Sequence, residues 1–324
     1  MDVRERLGWG VLGTADISRR RFLPALVKAS NAYLVAVGSR SLERAAASVA
    51  IAGEGRAVGS YVEVLDDPSV DIVYIPLPNA LHREWVLASL AAGKHVLCEK
   101  PLVQTEAHVQ ELAAAAQAAG RVVMEGFMYR FHPQYAPSTW QPLLSEIGEL
   151  QAGHAWTSLR FDRVDEPPEA AALRGGALWE VGCYCLDVLT WQLGEVVEVS
   201  ATSDRRGSYD LATVAHLRFA SGALGTAWWS FTAGWSKRLT LIGQHGALEL
   251  DQPFRPDGPA TARLEIGRDI RAVRLPTDDC FRREIEHLSD VVRQGTPIAV
   301  PLSGSARWLR VAEEIRRQAT RSSA

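Results

Sequence analysis

Short apolar runs alternate with alanine-rich stretches over the first 126 residues of the chain. Such runs predict buried parallel strands, because a strand covered on both faces is hydrophobic along its whole length. They lie at Leu7–Leu12, Leu34–Val37, Ile72–Ile75, His95–Cys98 and Val122–Met124. Helices are predicted between them at Leu42–Ala52, Ala80–Ala92 and Thr105–Ala119, and Gly93 and Gly120 are stop signals. This order predicts a Rossmann domain with a doubly wound parallel sheet over residues 1–126.

After residue 126 the pattern changes to a series of strands. A helical segment near His132–Glu146 leads to runs in which apolar and polar residues alternate. These predicted strands are Leu150–Phe161, Val196–Thr202, Leu211–Phe219, Ala223–Phe231, Leu239–Ile242, Ala247–Leu250, Ala262–Ile266 and Ile270–Leu275. Successive strands predict a large, open, mostly antiparallel sheet, with the helix Ala177–Leu193 packed on one face. Helices at Phe281–Gln294 and Ser303–Thr320 complete a predicted α+β domain over residues 127–324.

The composition is that of an ordinary globular protein and excludes several classes of partner. Hydrophobic residues make up 47% of the 324 positions and charged residues 23%, which suits two domains with a large core. A net charge of −3 with scattered basic residues argues against nucleic acid as a partner. No apolar run reaches the roughly 18 residues of a membrane-spanning helix. The charged start at Met1–Arg6 and the four cysteines favour the cytoplasm, and we expect no metal site.

The turn after the first predicted strand has features of a dinucleotide-binding loop. It reads Gly13-Thr14-Ala15-Asp16-Ile17-Ser18, so only the first glycine of the G-x-G-x-x-G fingerprint is present. Alanine and serine replace the other two, and both are small enough for the backbone to approach a pyrophosphate at a helix N-terminus. We expect Gly13, Thr14, Ala15, Asp16 and Ile17 to bind the cofactor. The alternative is a strand-to-helix turn of another α/β protein.

The end of the second strand favours NADP(H) over NAD(H). An NAD site usually presents an acidic residue about 20 residues after the loop, where it binds the ribose 2′-hydroxyl. Here the strand ends in Gly38-Ser39-Arg40-Ser41, without an acid, and Arg44 follows one helical turn later. A guanidinium group binds phosphate with two hydrogen bonds and stacks on adenine. We expect Ser39, Arg40 and Arg44 to bind the 2′-phosphate; the alternative is an N-cap serine with a solvated arginine.

Two further loops follow the predicted strands Ile72–Ile75 and His95–Cys98 and are expected to face the crevice in which open α/β sheets bind ligands. The first contains Pro76, Leu77, Asn79 and His82, and the second contains Glu99 and Lys100 before a proline. We expect these residues to contact the cofactor. The alternatives are a helix N-cap for Asn79 and a surface helix position for His82.

A lysine and a tyrosine are the candidate catalytic pair. Glu180, Tyr184 and Asp187 are spaced i, i+4 and i+7 on an apolar helix and therefore share one face. Tyr184 is expected to exchange a proton with a sugar oxygen, and the ammonium group of Lys100 would stabilise the tyrosinate. The alternatives are a solvated turn lysine and a core tyrosine. Candidate substrate contacts are Arg130, Trp179, Glu180, Asp187 and Trp235.

These segments together resemble the glucose–fructose oxidoreductase / inositol dehydrogenase / rhizopine-catabolism (Gfo/Idh/MocA) family over essentially the whole chain. The resemblance is carried by Gly13-Thr14-Ala15-Asp16-Ile17, Pro78-Asn79-Ala80-Leu81-His82, residues 92–102 with Glu99-Lys100-Pro101, and Gly175-Gly176-Ala177-Leu178 through Gly182 and Asp187. It implies a Rossmann domain, a second domain with a large open sheet, and a homodimer or homotetramer built on that sheet.

Two residues of this chain differ from the pattern of many family members and narrow the resemblance to one branch of the family. Many members, including inositol dehydrogenases, carry Asp and then His four residues later, where this chain has Glu180 and Tyr184. Tyrosine resembles the branch with glucose–fructose oxidoreductase, xylose and dihydrodiol dehydrogenases and the deoxysugar 3-ketoreductases of antibiotic pathways. Residues 15–26 and 74–78 look most like the last group. The favoured function is therefore NADPH-dependent reduction of the 3-keto group of a nucleotide-linked deoxysugar.

Two alternatives remain from the sequence. One is the NADP-dependent oxidation of an aldose, such as xylose or glucose, or of a trans-dihydrodiol. The other is a non-catalytic NADP-binding regulator, because the fold does not guarantee chemistry.

Overall fold

In the computed structural model, which describes residues 6–160, 175–207, 209–255 and 258–321, six strands form a parallel sheet. The strands are β1 (Leu7–Leu12), β2 (Ala32–Gly38), β3 (Arg56–Val58), β4 (Ile72–Ile75), β5 (His95–Glu99) and β6 (Val123–Gly126). The helices between them are α1 (Leu23–Lys28), α2 (Leu42–Ala52), α3 (Tyr61–Leu65), α4 (Asn79–Ala91) and α5 (Glu106–Ala119).

The strand order is β3-β2-β1-β4-β5-β6, which confirms the predicted doubly wound sheet. The chain progresses outward in one direction through β2 and β3 and then in the other through β4, β5 and β6. The order therefore reverses between β1 and β4, and the loops at the carboxyl ends of these strands border the crevice where such sheets bind ligands. Strand β1 is central in this order, and its residues Trp9, Val11 and Leu12 are accordingly fully buried.

Eight strands form the second sheet, in the order β14-β13-β12-β11-β7-β10-β9-β8. They are β7 (Leu150–Ser158), β8 (Val196–Arg206), β9 (Tyr209–Phe219), β10 (Leu224–Ser230), β11 (Ser236–Gly243), β12 (Gly246–Leu250), β13 (Ala260–Ile266) and β14 (Asp269–Leu275). Neighbours are antiparallel except for β7 and β10, so the predicted mostly antiparallel sheet is confirmed. Phe161, the predicted end of β7, lies outside the described residues.

A π-helical turn at Leu178–Gly182 leads into α7 (Cys183–Leu193), which packs on one face of this sheet. Two glycines allow the helical segment and the sheet to approach closely. A Cβ atom on Gly153 would lie 2.7 Å from Leu193 Cδ1, and one on Gly182 would lie 2.6 Å from the ring of Trp229. A helix α6 (Pro137–Ile147) precedes β7.

The final helices belong to different compact units. The first unit comprises the described parts of residues 1–103, 107–131 and 279–302, and the second comprises residues 104–106, 132–278 and 303–324. Helix α8 (Cys280–Gln294) thus groups with the parallel sheet, where Trp9 Nε1 donates a hydrogen bond to Ser289 Oγ at 3.2 Å. The predicted domain of residues 127–324 had included it. Helix α9 (Leu302–Arg321) contacts β8 through Gln318. Within the described ranges, none of the helices has the length and apolar character needed to cross a bilayer.

Candidate active site

Gly13 occupies a position at the end of β1 that only glycine fits. Its φ of +101° lies in the left-handed region, and its N–H donates a hydrogen bond to the Gly38 carbonyl at 2.8 Å. A Cβ atom there would lie 2.9 Å from Leu77 Cδ2 and 3.5 Å from the Tyr61 hydroxyl. Three loops therefore converge at this residue, and two of the predicted cofactor residues, Gly13 and Leu77, are in contact distance.

The segment after Gly13 forms the start of a helix. Thr14 is buried, whereas Asp16 is exposed in the first helical turn and Ala15 and Ile17 are half-buried. A π-helical turn at Ser18–Phe22 then leads into α1. The backbone N–H groups of a first helical turn have no partner within the helix, so this end of the segment can bind an anion.

Two guanidinium groups lie near the end of β2. Arg44 Nη2 donates a hydrogen bond to the Thr14 carbonyl at 3.4 Å, so the segment after β2 contacts the loop after β1. Arg40 and Arg44 are both exposed, and the positive charge of each lowers the pKa of the Tyr61 phenol, which burial raises by a larger amount. The two arginines and Tyr61 therefore lie around one surface, where a phosphate group would meet two cations.

The serines of this turn have structural roles. Ser41 is the N-cap of α2 and accepts a hydrogen bond from the backbone N–H of Arg44 at 3.3 Å. Ser39 is buried, and its hydroxyl accepts from the backbone N–H of Ser41 at 3.2 Å. The N-cap alternative thus applies to Ser41, while the predicted phosphate contact of Ser39 stays a prediction.

His82 joins the two loops that follow β4 and β5. Its side chain is fully buried, with Nδ1 at 2.7 Å from the Pro101 carbonyl oxygen and Nε2 at 2.8 Å from that of Leu77. Both contacts are with acceptors, so only a doubly protonated ring donates to both. This placement differs from a surface position. Both ring nitrogens contact the protein, and the predicted cofactor contact of His82 stays a prediction.

Asn79 and Pro76 complete the loop after β4. Asn79 is the first residue of α4, and Pro78 holds the N-cap position, so the N-cap alternative for Asn79 does not apply. Pro76 is buried, whereas Leu77 and Asn79 are half-buried.

Lys100 lies on a loop that is anchored on both sides. The residue before it, Glu99, accepts a hydrogen bond at 2.7 Å from the hydroxyl of Tyr74, which stacks on Phe22 with ring centroids 3.7 Å apart. The residue after it, Pro101, follows a cis peptide bond, and its carbonyl oxygen lies 2.7 Å from His82 Nδ1. Lys100 itself is half-buried. Glu99, which was predicted to contact the cofactor, is thus engaged by the core on at least one oxygen.

The side chain of Glu125 also fixes the loop that carries Lys100. Glu125 is fully buried at the end of β6, and its Oε1 accepts a hydrogen bond from the backbone N–H of Leu102 at 2.8 Å. Together with the His82 contact to Pro101, this fixes the backbone on the C-terminal side of Lys100. The loop is therefore preorganised, as a catalytic lysine requires.

In the second unit, Asp210 fixes the start of the helical segment that carries Tyr184. Both of its carboxylate oxygens lie 3.1 Å from the backbone N of Leu178. The same carboxylate also accepts from Trp229 Nε1 at 2.7 Å and from Thr213 Oγ1 at 3.0 Å. Asp210 therefore supplies the acceptor that the first turn of this segment needs, and it was not identified from the sequence.

The residues of this helical segment differ in exposure. Glu180 and Tyr184 are half-buried, whereas Asp187 is 1% exposed. The π-helical turn contains Glu180, so the spacing to Tyr184 is not that of the continuous α-helix predicted from the sequence. Trp179 is 2% exposed and packs on Trp308, so the structure places it in the core and not at a surface for substrate.

The ring of Tyr184 lies against Phe254, a residue between β12 and β13. Its centroid is 5.4 Å from that of Phe254, which is buried. The adjacent Pro253 carbonyl accepts hydrogen bonds from the Tyr135 hydroxyl at 2.9 Å and from Gln134 Nε2 at 3.2 Å. Phe254 is therefore held in place and limits the positions of the Tyr184 ring.

Two other predicted substrate residues lie at different places. Trp235 is 65% exposed and has the Lys237 ammonium 5.3 Å from its ring centroid. Lys237 also donates to the Arg255 carbonyl at 2.9 Å, next to Phe254. Arg130 is half-buried in a 3₁₀ turn of the first unit.

Lys100 belongs to the first unit and Tyr184 to the second, and their predicted pairing stays a prediction.

Comparisons with known proteins match most of the chain. Residues 7–127 match the model of the GFO/IDH/MocA oxidoreductase family with an NAD-binding Rossmann fold, and residues 145–249 match a GFO/IDH/MocA C-terminal domain. D-xylose 1-dehydrogenase (NADP(+)) 2 of Haloferax volcanii is 34% identical and covers 95% of each chain. The dTDP-3,4-didehydro-2,6-dideoxy-alpha-D-glucose 3-reductase of Streptomyces antibioticus is 33% identical and covers 90% of each.

Among solved structures, the chain is similar to KijD10, a 3-ketoreductase from Actinomadura kijaniata in complex with NADP and TDP-benzene. The TM-score is 0.88, with 28% identity, over 97% of this chain and 98% of KijD10. Variants of KijD10 with one lysine or one tyrosine replaced have also been solved with the same two ligands.

We predict that His82→Ala destabilises the protein through the two loops. The substitution leaves the carbonyls of Leu77 and Pro101 without their buried donor, which costs about 2–5 kcal/mol of unfolding free energy. Urea denaturation measures this, with the exposed His216→Ala on β9 as the matched control. A loss no larger than that of His216→Ala would show that the bonds of His82 do not hold the loops.

Proposed function

Because this chain belongs to the GFO/IDH/MocA family of oxidoreductases, we propose that it reduces the 3-keto group of a nucleotide-linked deoxysugar with NADPH. Membership confirms the predicted resemblance, the oxidoreductase class and a nicotinamide dinucleotide as the cofactor. The observation that supports the substrate class is the similarity over nearly the whole chain to KijD10, a 3-ketoreductase that holds NADP and a TDP-linked ligand.

NADP(H) is the cofactor that the first unit fits. Position 13 requires glycine because of its φ of +101° and the close Leu77 side chain, and the free backbone N–H groups of the first helical turn that follows can bind a pyrophosphate. Arg40 and Arg44 lie next to this loop and supply the two positive charges that a 2′-phosphate requires. The residues present therefore fit the phosphorylated dinucleotide.

The chemistry divides between the cofactor and two side chains. When bound, NADPH supplies the hydride that reduces the carbonyl carbon. Tyr184 donates its phenolic proton to the carbonyl oxygen, which becomes a hydroxyl group. The ammonium of Lys100 stabilises the resulting tyrosinate; lowering the pKa of a tyrosine by about two units corresponds to roughly 2.7 kcal/mol. Phe254 limits the motion of the Tyr184 ring and so lowers the entropic cost of this transfer.

The aldose dehydrogenase alternative is supported by the D-xylose 1-dehydrogenase relative. Oxidation of a sugar hydroxyl by NADP⁺ uses the same site in the opposite direction, with Tyr184 accepting the proton. Purified enzyme is assayed with a dTDP-linked 3-keto-deoxysugar and NADPH, and with xylose, glucose or a trans-dihydrodiol and NADP⁺. A higher kcat/KM for the free sugar or the diol would favour that alternative. NADPH binding without turnover of any of these compounds would identify a regulator.

We predict that Tyr184→Phe lowers kcat by about 10²–10⁴-fold, the usual contribution of a general acid. The affinity for NADPH should change little, because the phenol acts on the substrate oxygen. Steady-state kinetics and fluorescence titration with NADPH measure the two effects. Tyr33→Phe, on β2, is the control that should keep wild-type kcat. Wild-type turnover in Tyr184→Phe would remove the acid role.

Replacing Arg40 and Arg44 together by alanine should weaken NADPH binding by about 10–100-fold, because two hydrogen bonds to a charged phosphate are lost. Binding of NADH, which lacks this phosphate, should change little. The ratio of the two dissociation constants is the measurement, with the exposed, ion-paired Arg83→Ala as the control. Equal weakening of both cofactors would place the arginines elsewhere than at the 2′-phosphate.

We also propose a homodimer or homotetramer through the sheet face opposite α7. On that face Trp156 and Trp228 lie side by side in register on β7 and β10, with Val214 next to them on β9, and all three are half-buried. An apolar surface of this kind is usually covered. Trp228→Glu should therefore lower the molecular mass measured by sedimentation, and a monomeric wild type would refute the assembly. Action in the cytoplasm stays a prediction.

A further inference from the structure

One carboxyl group of the first unit is buried without the partners that a buried charge requires. Glu284, on α8, is 2% exposed, and its Oε1 makes no hydrogen bond and no contact with solvent. A carboxylate in such surroundings is costly, by several kcal/mol, unless a cation or several donors compensate it. Burial therefore favours the neutral, protonated form of this group.

The groups around Glu284 are themselves acidic. Burial, and after it the negative charge of Glu99, raise the pKa of Glu284 well above its usual value. Tyr74, fully buried, has its pKa raised by burial and by the charges of Glu99 and Glu284. The pKa of the Cys98 thiol is raised by burial and by the charges of Glu99 and Glu125. Glu284, Tyr74, Glu99 and Cys98 therefore form one cluster, which we call the acid cluster.

The elements packed against α8 also carry charged or titratable side chains. Lys28 of α1 and Arg19, Arg20 and Arg21 of the π-helical turn are exposed, whereas Tyr33 of β2 and Arg130 of the Met128–Phe131 turn are half-buried. The charge that acts most on Glu284 is nevertheless the like charge of Glu99.

The hydrogen bond from Tyr74 favours Glu99 as the anionic member of the acid cluster, because a donor stabilises the charged form of a carboxyl group. The Tyr74 hydroxyl donates to Glu99 Oε1 at 2.7 Å, so Glu99 is the acceptor. Glu99 is also half-buried, which makes its ionisation less costly than that of Glu284. With Tyr74 and Cys98 neutral, a proton on Glu284 leaves Glu99 as the anion of the acid cluster, directly before Lys100.

We propose that Glu284 is a protonated positioning residue, which keeps the acid cluster at a single negative charge and thereby sets the charge under the Lys100 loop. The functional part of this inference rests on the proposed role of Lys100 and the bound NADP(H). Loss of the proton at alkaline pH would place a second negative charge beside Glu99. That charge would repel the anionic cofactor and hold the Lys100 ammonium more strongly.

Infrared difference spectroscopy tests the proton without cofactor or substrate. Wild-type protein at neutral pH should show the C=O stretch of a protonated carboxylic acid that is missing in Glu284→Gln. Glu286→Gln, on the same helix and ion-paired to Arg282, should leave the band unchanged. Absence of a difference between wild type and Glu284→Gln would overturn the proposal.

A second variant keeps this test decisive if Glu284→Gln folds poorly. In Glu99→Gln the like charge is removed, so the pH at which the Glu284 band disappears should fall. If the Glu284 band persists in Glu99→Gln at neutral pH, burial alone is sufficient to keep Glu284 protonated. An unchanged titration midpoint would show that the two carboxyl groups are not coupled, which contradicts the acid cluster.

The positioning role is tested by the pH dependence of NADPH binding. In the wild type, the dissociation constant should rise about three- to tenfold over the pH range in which the band disappears, the size expected for one added charge. Glu284→Gln should bind NADPH without this rise, whereas Glu286→Gln should follow the wild type. Identical profiles for wild type and Glu284→Gln would refute the positioning role. The proposed substrate can fail independently, because neither measurement uses a sugar.

Discussion

The structure of the candidate site depends on the buried polar contacts that fix the loop around Lys100. Tyr74 holds Glu99 on one side of the lysine, while His82 and Glu125 hold Pro101 and Leu102 on the other. Each contact satisfies a backbone or carboxylate group that would be costly to bury alone. Because these contacts come from β4, α4 and β6, the position of the loop is determined by the whole parallel sheet and not by local sequence.

Buried hydrogen bonds also fix the candidate site in the second unit, where the carboxylate of Asp210 holds the segment before Tyr184. Asp210 belongs to β9, 32 residues after Leu178, from whose backbone N–H it accepts a hydrogen bond, and it also accepts hydrogen bonds from β9 and β10 side chains. The sheet thereby sets the position at which the helix starts. Phe254 then limits the positions of the Tyr184 ring. Both candidate catalytic residues thus stand on elements whose positions are fixed by buried hydrogen bonds.

Hydrophobic periodicity predicted the parallel sheet and most of the second sheet, because buried strands are continuous apolar runs. It assigned no range to β3 (Arg56–Val58), because three residues that change from exposed to buried along the strand carry too little pattern. The placement of the Gly13 and Leu77 loops at one crevice was predicted, since the carboxyl ends of parallel strands share an edge. Tyr61, Asp210 and Phe254 were missed, because their roles arise from tertiary neighbours distant in sequence. The position of Trp179 was predicted incorrectly for a related reason. The π-helical turn at Leu178–Gly182 cannot be recognised from the spacing of residues in the sequence.

The exposed position of Arg40 and Arg44 has an evolutionary consequence. Neither side chain supports the core, and the cap of α2 is provided by Ser41 instead. Mutations at these two positions are therefore nearly free of folding constraints. Descendants of this chain could drift between phosphorylated and unphosphorylated dinucleotides while Gly13, which cannot change without a clash, preserves the crevice itself. The preference for one cofactor over the other would then change faster in evolution than the fold of the cofactor-binding unit.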